Sequence, residues 1–223
     1  MSVIDNYNKI LNEVKEVSLK ANHHVDLLAV SKTQCVEKMD ELAFYGVKMF
    51  GESKVQEALP KIEYLSNKYN NLEFHFIGKV QTNKLKKIVE HFHLIHSVDR
   101  IEVLEIIDKY ACELNKKQNI LIQINIAHET QKNGIDPVLL DNIINEAKKY
   151  RNITLKGLMF MPPYEEDVTK NLGYFKHAAS LFNKYKDNEF NTLSMGMSHD
   201  FKEAVLCGAT LVRVGTSIFG ERI

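Results

Sequence analysis

The segment Leu27-Leu28-Ala29-Val30-Ser31-Lys32 is a short apolar run of strand length that ends in a lysine. Two later segments each close an apolar run with glycine and hydroxyl residues: Ser194-Met195-Gly196-Met197-Ser198 and Arg213-Val214-Gly215-Thr216-Ser217. In a closed α/β barrel of eight strands, the first and last strands are neighbours. This fold therefore predicts that the lysine and the two turns lie at one rim.

Apolar runs of strand length alternate with helical patterns along the chain, which is typical of parallel strands joined by helices. Eight such units in about 200 residues predict an α/β fold, a single (β/α)8 TIM barrel, near the lower size limit of that architecture. An open doubly wound sheet is the alternative. The barrel is favoured because no G-x-G-x-x-G turn follows the first strand and the reactive residues gather after the strand ends. The predicted strands are Leu27–Val30, Val47–Phe50, Leu72–Ile77, Leu94–Val98, Ile120–Ile126, Ile153–Phe160, Thr192–Met195 and Leu211–Val214.

An extra helix is predicted before the first strand, over residues 2–20. Ile4, Tyr7, Leu11, Val14 and Val17 recur at the spacing of one helical face, so we expect this helix to pack on the barrel. The sequence contains no repeat and no linker, and we expect residues 1–223 to form one domain. Other helical patterns cover Lys38–Phe44, Ile101–Leu114, Pro137–Tyr150 and Val168–Lys186.

The composition argues against several classes of protein. Lys plus Arg equal Asp plus Glu at 29 each, so no excess of positive charge attracts nucleic acid or an anionic membrane. The three cysteines are odd in number and widely spaced, which matches neither a disulfide framework nor paired zinc ligands. No stretch approaches the roughly 18 apolar residues needed to span a bilayer. We therefore expect a soluble, cytoplasmic protein that binds neither nucleic acid nor a membrane.

Lys32 is the candidate for covalent chemistry. An amine forms a Schiff base readily when burial or a nearby cation lowers its pKa, and a strand end inside a barrel mouth offers partial burial. The alternative is an ordinary solvated lysine. Ser194, Ser198, Gly215 and Thr216 supply hydroxyls and backbone N–H groups of the kind that bind phosphate, although such turns are also common in loops. An amine beside a phosphate site suggests pyridoxal phosphate as the cofactor.

Some further side chains have more than one interpretation. Arg213 lies within the last strand, where alternation turns either it or its neighbours into the barrel. It would then face the ring nitrogen of a cofactor, keeping that nitrogen unprotonated, or form a salt bridge with an interior carboxylate. His75 lies between two phenylalanines, a setting more typical of a packed, hydrogen-bonded histidine than of a base. We predict no metal site, because the three histidines that resemble one straddle a helix end and a strand: His91, His93 and His96.

Seven short blocks run in order over nearly the whole chain: Leu28–Thr33, Phe50–Glu52, His75–Gly78, His96–Asp99, Gly157–Met159, Leu193–Ser198 and Val212–Gly220. Together they resemble the signature of the pyridoxal phosphate homeostasis proteins, a family similar to the N-terminal barrel of bacterial alanine racemase. The resemblance implies that Lys32 carries pyridoxal 5'-phosphate (PLP) as an aldimine and that Arg213 faces the pyridine nitrogen. It also implies that the phosphate is surrounded by Ser194, Ser198, Gly215 and Thr216.

Two positions depart from the pattern of this family. Ser53 follows Phe-Gly-Glu where the family usually has asparagine, a change that could weaken a polar contact to the cofactor. Phe74 precedes His75 where the family usually has tryptophan, which is a conservative aromatic change. Neither position is the lysine, the arginine or one of the phosphate turns.

Two functions remain open for such a chain. The resemblance implies a non-catalytic carrier that keeps free PLP low and supplies it to apo-enzymes, and we expect a monomer or weak dimer. The alternative is a fold-type III PLP-dependent amino-acid racemase. A racemase needs a second acid or base opposite the lysine, which in alanine racemases comes from a partner subunit closed over the site by an added β-domain. The sequence ends three residues after Gly220, so we expect no such domain, and Tyr164 is the internal candidate for the second base.

Overall fold

The computed structural model describes residues 2–129 and 132–221, and its eight parallel strands close into a barrel in chain order. Helices alternate with the strands, and one further helix precedes the first strand, so the predicted (β/α)8 barrel with an extra N-terminal helix is confirmed. The strands are β1 Asp26–Val30, β2 Met49–Glu52, β3 Glu73–Phe76, β4 Leu94–Val98, β5 Gln118–Ile124, β6 Ile153–Phe160, β7 Thr192–Ser194 and β8 Leu211–Val214. The helices are α1 Val3–Ala21, α2 Val36–Tyr45, α3 Val55–Ser66, α4 Leu85–His91, α5 Ile101–Glu113, α6 Leu140–Ala147, α7 Leu172–Tyr185, α8 Phe201–Leu206 and α9 Thr216–Phe219.

Helix α1 has defined signals at both ends. Ser2 Oγ accepts a hydrogen bond from the Asp5 backbone N–H at 3.1 Å, and the Asp5 carboxylate accepts from the Ser2 N–H at 3.0 Å, which forms a capping box. Asn22 ends the helix in the left-handed conformation with φ of 56°. The helix packs against α2, α8 and α9 through one apolar face, whose buried residues are Val3, Ile10, Val14 and Val17.

The barrel closes where β1 pairs in parallel with β8. Leu28 lies opposite Arg213 and Ala29 lies opposite Val214, so the ends of the first and last strands are adjacent. This pairing brings the segment after β1 beside the turn after β8. Lys32 and the Gly215-Thr216 turn are therefore adjacent because the barrel closes.

Two apolar layers hold the barrel. The larger layer lies between strands and helices and includes Phe50, Phe74 and Phe160, each no more than 1% exposed. A smaller cluster of Leu94, Leu121 and Met159 forms a separate group, with Met161 packed against it. The remaining buried interior includes polar side chains as well, among them His96, Ser194 and Arg213.

Several predicted strand boundaries differ from the observed ones. The second strand is Met49–Glu52 instead of Val47–Phe50, because Gly51 and Glu52 continue the pairing with His75 and Phe76 of β3. The fifth strand begins at Gln118 instead of Ile120, because Gln118 and Asn119 already pair with Ile153 and Thr154 of β6. Apolar patterning stops at such residues although the backbone pairing does not.

Other predictions concern metal binding, membranes and cysteines. Within residues 2–129 and 132–221, no helix is both long enough and apolar enough to cross a membrane, and no three potential ligands are grouped for a metal. His93 and His96 face different surroundings, because His93 Nδ1 accepts from the Phe74 N–H at 3.1 Å whereas His96 lies inside the barrel. The three cysteines are free thiols: Cys35, Cys112 and Cys207.

Candidate functional site

The carboxyl ends of the strands surround a cavity of about 220 Å³. Most of the residues predicted to bind the cofactor line this cavity: Lys32, Ser198, Arg213, Gly215 and Thr216. Much of the remaining wall is apolar and comes from Val30, Ile77, Met159, Met161 and Met197. The cavity therefore combines an amine, a guanidinium, a hydroxyl-rich turn and apolar surface.

Lys32 lies in a turn whose backbone is constrained on both sides. Ser31 Oγ donates to Glu52 Oε1 at 2.8 Å, and the Lys61 ammonium donates to the Ser31 carbonyl oxygen at 3.1 Å. On the other side, Thr33 has φ of 63°, a left-handed conformation that a β-branched residue rarely adopts. The Thr33 N–H donates to Glu57 Oε1, so the strained turn is held by a carboxylate.

The charges beneath this turn form one unit of Lys61, Glu52 and Glu57, which we name the Lys61 cluster. The ammonium nitrogen lies 3.0 Å from Glu52 Oε1 and 2.8 Å from Glu57 Oε1. The Glu52 side chain is fully buried, and burial raises its pKa while Lys61 and the Ser31 hydroxyl act in the opposite direction. Partial burial alone would raise the pKa of Glu57 too. The hydrogen bonds from Lys61 and Thr33 have the larger combined effect, so the pKa of Glu57 is lowered.

The sequence did not identify Lys61 as part of the site. Glu57 and Lys61 have the i,i+4 spacing of an ordinary surface pair on a helix, and this spacing alone predicts a weak, exposed interaction. The one distinguishing signal was the apolar context of α3, in which Ala58, Ile62 and Leu65 lie on the buried face together with Lys61. A lysine on the apolar face of a helix needs a buried partner.

The turn after β8 approaches the end of β1 closely. A Cβ atom added to Gly215 would lie 3.1 Å from the Val30 carbonyl oxygen, so any side chain here would force a small shift of the neighbouring backbone. The Gly215 N–H donates to Ser198 Oγ at 3.3 Å, which joins the turn after β7 to the turn after β8. The following helix α9 is fixed by Asn6 and Lys38, which donate to the carbonyl oxygens of Ile218 and Phe219.

Arg213 points from β8 into the barrel and borders the cavity. Nη1 donates to Ser194 Oγ at 2.6 Å and Nη2 donates to the Phe160 carbonyl oxygen at 3.1 Å, so both hydrogen-bond acceptors are neutral. Burial lowers the pKa of Arg213 to about 10, and the more distant charge of Asp200 acts in the opposite direction. The interior position is the one that a contact with a cofactor ring requires.

Ser194 is the predicted site residue that does not line the cavity. Its side chain is fully buried, and its hydroxyl contacts Arg213 on one side and His96 Nδ1 on the other, at 3.0 Å. The Ser194 hydroxyl is thus already engaged by Arg213 and His96, and its contact with phosphate stays a prediction. β7 ends at Ser194, and its side chain faces the barrel interior instead of the rim.

Two histidines extend the contacts of Ser194 across the barrel. His96 Nε2 lies 3.1 Å from His75 Nδ1, and both rings are buried. Burial, followed by the nearby His75 and Arg213, holds the pKa of His96 well below its usual range. Sequence reasoning missed this role of His96, although Leu94 and His96 are two residues apart in β4 and strand alternation puts them on the same face.

The other residues considered in the sequence lie outside the cavity. The Ser53 carbonyl oxygen packs against Gly78, where an added Cβ atom would come within 1.9 Å. Phe74 stacks on Phe50 with ring centroids 6.3 Å apart in the layer beneath the helices. Tyr164 is 82% exposed and stacks on His199 at 6.1 Å, beside a second cavity of about 200 Å³ that shares Met161, Met197 and His199 with the first.

Comparison with known proteins places this geometry in a family. Residues 6–223 match the family of the alanine racemase N-terminal domain. A pyridoxal phosphate homeostasis protein of Pasteurella multocida is 40% identical over 202 residues, which cover 89% of this chain and 87% of that protein. The protein of the same name from Aquifex aeolicus is 37% identical over 229 residues, covering 100% and 99% of the two chains. The chain belongs to the pyridoxal phosphate homeostasis protein family.

Solved structures agree with this family assignment. The structure of PipY from Synechococcus elongatus without PLP superposes on this homeostasis-family chain with a TM-score of 0.89 at 31% identity, covering 98% of this chain and 100% of PipY. PipY with PLP bound gives a TM-score of 0.86 at the same identity. Alanine racemase of Clostridium difficile is similar in fold, with a TM-score of 0.72 at 18% identity over 97% of this chain and 57% of the racemase.

Proposed function

We propose that this chain binds PLP in the cavity at the ends of β1 and β8 and takes part in intracellular PLP homeostasis. The observation that carries the proposal is that Lys32, Arg213 and the Gly215-Thr216 turn border one cavity. The curated relatives bear the name pyridoxal phosphate homeostasis protein, and PipY has been solved with PLP bound. We further propose that residues 1–223 act as one PLP-binding domain.

The residues present fit the chemical groups of PLP. Lys32 provides the amine for a covalent imine link to the aldehyde, and the hydroxyls and backbone N–H groups of Ser198, Gly215 and Thr216 suit the phosphate. Arg213 provides N–H donors for the ring nitrogen, and we assign Ser194 to the support of Arg213. Bound PLP supplies an electrophilic carbon and an electron-withdrawing ring, and a cationic donor in place of a carboxylate at the ring nitrogen weakens that ring as an electron sink.

We propose that the protein carries PLP without catalysing a reaction on it. Arg213 favours an unprotonated ring nitrogen, which disfavours stabilisation of a carbanion. A racemase also needs a second acid or base held in place, and Tyr164 is 82% exposed on a loop outside the cavity that Lys32 lines. The proposed recipients of PLP are the apo forms of PLP-dependent enzymes. We propose that the protein is a monomer or weak dimer. Its proposed location is the cytoplasm, where free thiols such as Cys35 and Cys112 stay reduced.

Borohydride reduction of the PLP-loaded protein tests the assignment of Lys32. Peptide mapping should find the pyridoxyl group on Lys32, and Lys32→Ala should remove both the adduct and the imine absorption. Lys54→Ala is the matched control, because Lys54 is an exposed lysine before α3 and should keep both signals. An adduct found only on Lys54 or Lys84 contradicts the assignment.

Two assays separate a carrier from a racemase. The loaded protein, incubated with L- and D-amino acids, should produce no racemisation, transamination or decarboxylation above that of free PLP. Mixed with an apo PLP enzyme, it should restore the activity of that enzyme while its own imine absorption falls. Steady turnover that disappears in Lys32→Ala or Tyr164→Phe would instead establish the racemase.

A further inference from the structure

A row of polar side chains, joined by three hydrogen bonds and one longer ion-pair contact, crosses the barrel from the cavity towards its opposite rim. It begins at Arg213 and continues through Ser194, His96, His75 and Glu73, four residues that we name the interior relay. The successive distances are 2.6 Å from Arg213 to Ser194, 3.0 Å to His96, 3.1 Å to His75 and 3.7 Å to Glu73. Glu73 is the first residue of β3, so the relay ends at the rim opposite the cavity.

The hydrogen positions along the relay follow from chemistry. Arginine has no acceptor, so Ser194 Oγ must accept from Arg213, and the hydroxyl hydrogen of Ser194 then has His96 Nδ1 as its acceptor. A neutral His96 with an unprotonated Nδ1 carries its hydrogen on Nε2 and donates it to His75 Nδ1. His75 in turn carries its hydrogen on Nε2, which faces the Glu73 carboxylate.

The reverse direction is unfavourable at both ends of the relay. If His96 donated from Nδ1, the fully buried Ser194 hydroxyl hydrogen would lose its recorded acceptor. A neutral His75 would then present its Nε2 lone pair to the Glu73 carboxylate. Every donor in the relay therefore points away from Arg213 and towards Glu73.

This direction is the one that stabilises the buried guanidinium. The acceptors recorded for Arg213 are both neutral oxygens, and a buried cation needs polar groups whose negative ends face it. Each hydrogen bond in the relay polarises the next, and the last histidine faces a carboxylate 3.7 Å away whose side chain is 53% exposed. The nearby His75 also lowers the pKa of Glu73, which keeps the end of the relay negative.

We propose that the interior relay is a positioning device for Arg213, in which Ser194 and His96 orient the guanidinium towards the ring nitrogen of PLP while His75 and Glu73 fix the tautomer of His96. This inference rests on the proposed function, since it assigns Arg213 to the cofactor ring. The four residues act through Arg213 and do not line the cavity themselves.

The first test uses the protein without PLP and needs no substitution. Nitrogen-15 NMR of the histidine rings should show His96 neutral with its hydrogen on Nε2, and His75 with its hydrogen also on Nε2. His96 protonated on Nδ1, or protonated on both nitrogens at neutral pH, overturns the assigned direction. This result does not depend on PLP binding and stands even if the proposed function fails.

The second test compares PLP with an analogue in which carbon replaces the ring nitrogen. Ser194→Ala and His96→Phe should each weaken PLP binding about five- to tenfold, the loss expected when one ordinary hydrogen bond no longer orients Arg213. Both variants should bind the analogue as the unmodified protein does. His177→Phe, at an exposed histidine of α7, is the control and should change neither affinity.

The outcomes separate this inference from the proposed function. Equal losses for PLP and the analogue mean that the relay supports only the general packing of the barrel, and the inference fails. His96→Asn provides the rescue, because its amide oxygen can occupy the place of Nδ1 and accept from Ser194; it should recover much of the PLP affinity lost in His96→Phe. If the unmodified protein binds neither ligand, the proposed function fails, while the tautomers measured by NMR still decide the direction of the relay.

Discussion

Lys61→Met tests whether the Lys61 cluster is a buried electrostatic unit. Methionine fills a similar volume but removes the ammonium that lies within 3.0 Å of Glu52 and 2.8 Å of Glu57. The Glu52 side chain stays fully buried, and its Oε2 already has no hydrogen-bond partner in the described structure. Removal of one member of a buried pair leaves an uncompensated charge, which costs about 3–5 kcal/mol.

The loss should depend on pH in a definite direction. Burial raises the pKa of Glu52 in the folded protein, and Lys61 opposes that rise. A carboxyl group with a raised folded-state pKa stabilises the fold below its unfolded-state pKa of about 4.3, and this contribution is lost as the pH rises through the folded-state value. Without Lys61 the pKa of Glu52 rises further, so the destabilisation should be smaller near about pH 5 and larger near about pH 8.

Urea unfolding of the protein without PLP, at a series of pH values, measures this effect. We expect a lower midpoint with an unchanged slope for Lys61→Met, and partial recovery when Glu52→Gln is added. Lys68→Met is the control, because Lys68 pairs with Asp40 at the surface and its side chain is 42% exposed. Equal shifts for the two lysine variants, or a loss for Lys61→Met that does not change with pH, would refute the electrostatic explanation.

Three further predictions concern the turns that border the cavity. Thr216→Val combined with Ser198→Ala should weaken PLP binding by ~1.5–3 kcal/mol for each lost bond to phosphate, measured by spectroscopic titration, and pyridoxal without phosphate should bind the unmodified protein poorly. Gly215→Val should destabilise the fold by ~1–3 kcal/mol in thermal unfolding, since even a Cβ would lie 3.1 Å from the Val30 carbonyl oxygen; an unchanged melting temperature contradicts this close approach. Thr33→Gly should keep imine formation on Lys32 because glycine accepts φ of 63°, whereas Thr33→Pro should impair it by removing both that conformation and the N–H; equal rates for the two variants count against a constrained turn.

The sequence was sufficient for the features that strand order determines. Once the chain is an eight-stranded barrel, Lys32 and the Gly215-Thr216 turn must share a rim, because β1 and β8 pair and parallel strands end at the same edge. Arg213 could also be placed inside the barrel. Strand alternation allows its side chain two orientations, and only the inward one lets it line the cavity. These inferences depend on connectivity and period, which a single sequence contains.

The sequence was not sufficient for features that depend on which side chains meet. Ser194 and Ser198 are both serines near the end of β7, yet one faces the barrel interior and the other borders the cavity. The predicted second strand ended at Phe50, but β2 continues to Glu52, whose side chain pairs with Lys61 from α3. Such partners lie on different strands and helices, and no local sequence pattern determines how these elements are rotated relative to one another.

The two cationic side chains predicted to bind PLP are both supported from behind the cavity. The backbone around Lys32 is held by the Lys61 cluster, and Arg213 is held by Ser194 and the Phe160 carbonyl oxygen. Long side chains lose considerable entropy when a ligand orders them, so a site whose backbone and guanidinium are already fixed loses less on binding. Affinity for PLP then depends on residues that never touch it, and variants such as Lys61→Met and Ser194→Ala should weaken binding although the cavity lining is unchanged.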